Sequence, residues 1–416
     1  MNRRVLAQLS YGHFATDLSQ GALPALLPLF KSQYHLSYTE VGIVVLIANI
    51  SSSVIQPAFG VLSDRVRMRW LMPLGALMAG TGIVLAVTAS HFAVMIAMIF
   101  LCGLGVAAFH PEGYKFAGLA SGAGRATGMS YFSVGGNLGF GFGPAAASVA
   151  LHFAGPRGIL YVLAFSVSAA VLLWQVASPR RRDQLEGEWR PDAAGAAVRG
   201  RPAAPPTSGA ARTMLALLVA FVILRSWVSV GQSSFIPLYF TGVRHLTPTY
   251  AGIMVSLFLG AGSIGTLLGA IAADRWGRRR MLIVSMIVLP PLLWVMPRAV
   301  GPVAMAAALV AGMAAVSTFV VVMVMAQAVI PERIGLISGL IIGFAVGTGG
   351  VGTTFLGVIA DHWGVLRALD MTALLPLPAL VIALLLPPDP PGERNHGAEP
   401  ARSSRSGVHA DVAGGQ

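Results

Sequence analysis

Three short stretches carry groups that can hold a proton or an anion, and all three are set in apolar sequence. SYGHFATDLSQGALP places His13 and Asp17 four residues apart and Gln20 three further on. On a helix these three share one face. An aspartate whose pKa is raised by burial can take and release a proton, and histidine titrates near neutrality without help. AAFHPEGYKFAG brings His110, Pro111, Glu112 and Lys115 together at the end of a long apolar run. VAFVILRSWVSVGQSSF holds a single charge, Arg225, about a dozen residues into its apolar segment. A guanidinium or an ammonium pairs with carboxylate- or phosphate-like oxygens. Ionisable groups inside apolar spans are costly and mark pathways for ions and solutes.

The pattern excludes other chemistry. There is one cysteine, Cys102, so neither an intrachain disulfide nor a cysteine-based metal site can form. No nucleophile–base pair, metal-ligand motif or phosphate loop is visible, and the glycine-rich segments lie inside apolar spans rather than between a strand and a helix. An enzyme, a metal site and a cofactor are therefore not expected. Of the 416 residues, 55% are hydrophobic and only 11% are charged. Soluble domains carry about 25% charged residues. The mean hydropathy is +0.73. Apolar runs near the spanning length of about 20 residues recur along the chain. This is the signature of an all-α polytopic membrane protein.

Twelve spans are expected, at roughly 6–30, 40–61, 70–89, 92–120, 125–152, 156–177, 213–240, 248–272, 281–298, 302–329, 334–360 and 364–386. The net charge of +12 does not point to nucleic acid, because the arginines cluster in short loops. Loops on one side hold Arg65, Arg67, Arg69, Arg125, Arg180, Arg181, Arg182, Arg275, Arg278, Arg279, Arg280 and Arg333. The other side holds Lys31, Arg157, Arg244, Arg298 and Arg367. The excess marks the cytoplasmic side and puts both termini there. The N-terminus reads as the first span, with no convincing cleavage site. The expected organisation is a six-helix bundle over 1–177, a flexible cytoplasmic linker over 178–212, a second bundle over 213–387 and a disordered tail over 388–416.

The two bundles repeat. LSDRVRMR and AADRWGRRR follow the second and eighth spans, with Asp64 and Asp274 offset by 210. Arg125 and Arg333, which precede the fifth and eleventh spans, are offset by 208, as are Asp17 and Arg225. Six-span halves in parallel orientation describe the major facilitator fold, with its solute site between the halves and alternating access by rocking. The equivalence sets Asp17 and Arg225 on a common cavity. The anionic partner that Arg225 needs is Asp17, Glu112 or the solute itself. Asp64, Arg65, Asp274, Arg275, Gly277 and Arg278, with Arg125 and Arg333, resemble the signature with which this superfamily latches its cytoplasmic side. Gly139, Gly143 and Pro144 resemble its fifth-span antiporter signature, and Asn137 is a polar group facing the cavity. Pro111 is expected to kink or break the fourth span, turning His110 and Glu112 inward. Lys115 is placed to pair with Glu112 or to meet an anion.

HFATDLSQGALPALLPLFKSQYHLSYTEVG, FHPEGYKFAGLASG, GMSYFSVGGNLGFGFGP and PERIGLISGLIIGFAVGTGGVGTTFLGVIADHWG together resemble the fosmidomycin resistance family of bacterial efflux transporters. That resemblance covers both halves but not the linker or the tail. It implies proton-driven export, from a bacterial inner membrane, of small anionic or polar compounds such as phosphonates. The family pattern has basic residues at Lys115 and Arg225, His and Asp at His13 and Asp17, and His-Pro-Glu at 110–112. With Gln20 and Asn137 added from the residue reading, the expected substrate contacts are Arg225, His110, Lys115, Asn137 and Gln20, and the expected proton carriers are Asp17, Glu112 and His13. The expected partners are the solute, protons and the lipid bilayer, and the expected state is a monomer. An importer or facilitator of an organic phosphate is the alternative on the same fold. A non-transporting signalling protein fits less well, for want of any attached soluble module.

Overall fold

The computed structural model describes residues 1–66, 68, 70–122, 125–188, 208–330 and 334–388. The described residues are helical with short connections. They form α1 (Arg3–Gln33), α2 (Tyr38–Asn49), α3 (Gln56–Arg65), α4 (Leu71–Thr88), α5 (Phe92–Ser121), α6 (Arg125–Ala154), α7 (Leu160–Val176) and α8 (Pro179–Glu188). The second half holds α9 (Ser208–Gly242), α10 (Pro248–Trp276), α11 (Arg278–Val295), α12 (Pro302–Val329), α13 (Ile334–Trp363), α14 (Val365–Leu374) and α15 (Pro376–Leu385). In hydrocarbon a helix satisfies its own backbone, so long apolar runs have little other choice. Eight helical stretches among the described residues are long and apolar enough to cross a membrane. With α2–α3 and α14–α15 each taken as one broken span, the helices follow the twelve expected spans.

Three expectations change. The proline at 111 does not break its helix; α5 runs unbroken from Phe92 to Ser121 with Pro111 inside it. The helix absorbs the missing N–H, and His110 Nδ1 bonds the Val106 carbonyl at 2.8 Å just before it. The expected linker is partly helical: α8 takes 179–188 and α9 begins at Ser208, while 189–207 lie outside the described residues. The second span is interrupted by a π-helical turn, Ile50–Val54, between α2 and α3. Such turns insert one residue into a helix and re-aim its neighbours.

Within the first half, α1 lies against α6 along glycines. A Cβ on Gly135, Gly139 or Gly143 would fall 2.1 to 2.6 Å from backbone atoms of Ser10, Phe14 and Gly21. Small residues at such spacing let helices touch backbone to backbone. The same device joins the halves. Gly42 meets Thr354 and Gly350 meets Leu46 across the α2–α13 seam; Gly141 meets Gly260 across the α6–α10 seam.

The α2–α13 seam ends in a polar latch at the end of the bundle remote from Arg3. Ser37 caps α2 in a reciprocal box with Glu40. The next two N–H groups of that helix come from Tyr38 and Thr39, and they donate to the Asp361 carboxylate of α13 at 2.7 and 2.9 Å. The Thr39 hydroxyl adds a third bond at 2.6 Å. A carboxylate at a helix N-terminus satisfies orphan donors and the helix dipole together. Here it comes from the other half of the molecule. Asp361→Ala should therefore loosen this end. Spin labels at Ser32 and Trp363 are expected to show a longer-distance population in Asp361→Ala that is minor in the parent; matching distributions would remove the latch role.

Candidate functional site

His13, Asp17 and His110 converge in the first half. His13 Nε2 lies 3.3 Å from one Asp17 oxygen, and His110 Nε2 lies 3.5 Å from the other. Both rings are held from behind: His13 Nδ1 bonds the Phe132 carbonyl at 2.9 Å, and His110 Nδ1 bonds the Val106 carbonyl at 2.8 Å. A carbonyl only accepts, so both Nδ1 atoms carry hydrogen. In the neutral rings each Nε2 is then a lone pair. Two imidazole lone pairs and a carboxylate face one another, and one Asp17 oxygen is buried with no hydrogen-bond partner. Three acceptors in one place call for a proton or a cation between them. The sequence showed His13 and Asp17 on one face. It could not show His110 against them, because that residue arrives on another helix.

The surroundings fix this cluster. Phe132 stacks on His13 with centroids 4.2 Å apart, and the two imidazoles meet edge to face at 5.1 Å. Gly136 of α6 makes the room, since a Cβ there would sit 2.3 Å from His13 Nε2.

Arg225 lies elsewhere. Together with Gln20, Asn49, Asn137, Ser229, Ser263 and Thr266 it lines a cavity of about 280 Å³ between the halves. Its Nε donates to the Ala315 carbonyl at 2.8 Å, and its guanidinium carbon stands 5.1 Å over the Phe319 ring. No carboxylate among the described residues pairs with it, so neither Asp17 nor Glu112 is its partner in this structure. Asp17 is engaged by histidines instead. Glu112 is buried and accepts a short hydrogen bond from Ser63. Lys115 is partly buried in the next turn of α5, away from the residues lining the cavity.

Of the cavity residues that escaped the sequence reading, Asn49 and Ser229 stand out. Asn49 is the last residue of α2 before the π-helical turn, and its amide nitrogen is buried without a partner. Ser229, one turn beyond Arg225, has a buried hydroxyl that is likewise unpartnered. An asparagine within VGIVVLIANISSSV was the available signal. Gln20 donates to Ser52 in that same turn at 3.2 Å, and Asn137 is exposed on the cavity. The expected antiporter glycines have a visible packing role: Gly139 and Gly143 seat α6 on α1. At the other end, Gly277 joins α10 to α11 with φ 99°, a left-handed value that favours glycine. Arg65, Asp274 and Arg275 are exposed. Arg333 and the side chains of Asp64 and Arg125 lie outside the described residues.

The room for His13 gives a direct test. Gly136→Ala should cost about 1–3 kcal/mol, the usual range for overpacking. It should lower the thermal midpoint of the purified protein, and adding His13→Ala should restore most of the loss. A single variant as stable as the parent would mean that the ring is not confined there.

The comparisons agree with this architecture. The family model for the major facilitator superfamily matches residues 9–242 and 215–412. The fosmidomycin resistance protein of Escherichia coli (strain K12) is 29% identical over 385 residues, covering 92% of each chain. An uncharacterized MFS-type transporter, YfnC of Bacillus subtilis (strain 168), is also 29% identical, over 92% of this chain and 93% of that one. Among solved structures, a bacterial homologue of the human lysosomal transporter Spinster, inward-facing and occupied, superposes with a TM-score of 0.74 at 14% identity, over 92% of this chain and 96% of that one. The nucleoside transporter NupG gives 0.70 at 14% identity, over 92% of this chain and 98% of that one. These two share the fold. With its helical halves, its cavity between them and a family match along nearly its whole length, this polytopic membrane protein belongs to the major facilitator superfamily of transporters.

Proposed function

We propose that the chain is a proton-coupled exporter of small anions, phosphonates among them, working by alternating access through the cavity between its halves. The observation that carries the reading is Arg225: a permanent cation on that cavity with no acid beside it among the described residues. A buried charge without a partner is expensive, and an anionic solute would supply the missing one. The Asn49 amide and the Ser229 hydroxyl, both unpartnered, add neutral donors on the same cavity. A phosphonate offers three oxygens and up to two negative charges to such donors. The relative named for fosmidomycin resistance supports the solute class and the outward direction.

Protons would be carried at Asp17 with His13 and His110. These groups lie on α1 and α5, while Gln20, one turn above Asp17, faces the cavity. Glu112, hydrogen-bonded to Ser63, is the second candidate carrier. The arginine-rich loops support an orientation with both termini cytoplasmic, in a bacterial inner membrane. The chain would work as a monomer in the bilayer, with the loops around Asp64–Arg65, Arg125, Asp274–Arg278 and Arg333 closing the cytoplasmic side in alternation with the Asp361 latch.

Everted membrane vesicles test this. On acidification of the lumen, they should accumulate labelled fosmidomycin. Arg225→Ala should weaken apparent affinity about 10–100-fold, as expected for a lost charge-assisted contact worth about 1.5–3 kcal/mol. Asp17→Asn should still bind the solute but no longer accumulate it against its gradient. Accumulation only in right-side-out vesicles would establish the importer. Unchanged transport by Arg225→Ala would end the anion reading.

A further inference from the structure

We infer that His13, Asp17 and His110 form a binding site for one divalent transition-metal ion of the zinc class. The inference is separate from the transport reading: it holds whatever the cargo and whatever ion drives its movement.

The ligand atoms already stand near coordination distance from one another. A tetrahedral Zn²⁺ with bonds of about 2.0–2.1 Å sets its ligand atoms about 3.3–3.4 Å apart. His13 and His110 approach different oxygens of Asp17, at 3.3 and 3.5 Å. With one ligand atom taken from each residue, all three lie within 4.8 Å of one another, and rotation of the carboxylate and of the rings brings them to that spacing. Two imidazoles and one carboxylate suit zinc, cobalt, nickel or copper and fit poorly to magnesium or calcium, which prefer oxygen.

The outer arrangement matches as well. Metal-bound histidines characteristically donate their second ring nitrogen to a carbonyl or a carboxylate, which fixes the tautomer and aims the lone pair. Both histidines do so here, through Phe132 and Val106. Phe132 stacked on His13, and Phe109 at 5.7 Å, hold that ring in place. The Asp17 oxygen that faces His110 has no hydrogen-bond partner, as expected where a cation or proton is to sit between them. Asp17 and His110 are each 14% exposed, which leaves an approach for the ion and a fourth position for water. A bound metal takes the same lone pairs that a proton would, and it ties α1 to α5. Metal and proton are then mutually exclusive occupants, and the metal-loaded chain is held still at this point.

The experiment uses tag-free, full-length protein in detergent, titrated with Zn²⁺ by calorimetry and with Co²⁺ by absorption. One Zn²⁺ per chain is expected, displacing Co²⁺ from a tetrahedral site. Asp17→Asn and His110→Gln should each weaken Zn²⁺ at least tenfold, and His13→Gln/His110→Gln should abolish it. His152→Gln alters an exposed histidine at the opposite end and should leave binding unchanged. Melting curves in metal-free buffer check that each variant is folded. His110→Cys keeps a ligand and should add a thiolate-to-cobalt charge-transfer band absent from the parent, whose Cys102 is buried elsewhere. Absence of Zn²⁺ binding by the parent overturns the inference. So does binding that survives in the double variant, or a His110→Cys cobalt spectrum without the new band.

Discussion

A charge inside a hydrocarbon layer has to find its partner within the protein, and that constraint shapes everything around the pathway of this molecule. In water an unpaired aspartate costs little. Within spans it costs several kcal/mol, unless it is neutralised or paired. The chain meets the demand in two unlike ways. In the first half an acid is surrounded by groups that take up positive charge, and Asp17 sits between two imidazoles. In the second half a guanidinium has a carbonyl and an aromatic face and, among the described residues, no acid. The first arrangement is complete once a proton or a metal ion is present. The second leaves a cation on the cavity without an acidic partner among the described residues.

Close helix contact is what brings those groups to each other. The α1–α6 pair meets through Gly135, Gly139 and Gly143, and the vacancy at Gly136 admits the His13 ring. A pattern of glycines therefore does two jobs on successive faces of one helix. The π-helical turn after Asn49 works in a similar way on α2: it re-aims the chain so that Asn49 ends at the cavity and Ser52 receives Gln20. Both are departures from the ordinary apolar helix; one falls beside the His13–Asp17–His110 cluster and the other beside the cavity between the halves.

Much of this was legible in the amino-acid sequence. Span positions follow from hydrophobic length, the pseudo-symmetry from the Asp64–Asp274 and Asp17–Arg225 offsets, and the costly residues from their rarity. What the sequence withheld were relations across helices. His110 looked like part of a helix break, because proline disfavours helix; in the packed bundle α5 continues and the histidine reaches Asp17. Asp17 looked like one of three candidate partners for Arg225, because the repeat makes the two equivalent. Equivalence under a pseudo-twofold sets two residues on matching helices without setting them in contact. Asn49 and Ser229 passed unnoticed, because a single amide or hydroxyl in a span usually satisfies itself against its own backbone, as Thr16 and Ser19 do.

The repeat is also informative where it fails. At the offset of 208, Asp361 of α13 corresponds to Phe153 of α6, which is 83% exposed. At the offset of 210, Thr39 corresponds to Thr249, whose hydroxyl is buried without a partner. One seam between the halves thus ends in three hydrogen bonds to a carboxylate, and its symmetry mate ends in none. The two seams cannot be equally easy to open. The α6–α10 seam relies on glycine contacts and one bond from the Ala145 N–H to the Ser256 hydroxyl at 2.8 Å. Parting the α2–α13 seam also means stripping a charged group from a helix terminus. A rocking motion of the halves therefore meets its larger polar barrier on the α2–α13 side. That side carries Asn49 and the π-helical turn, so release of the latch and reshaping of the cavity act on the same helix.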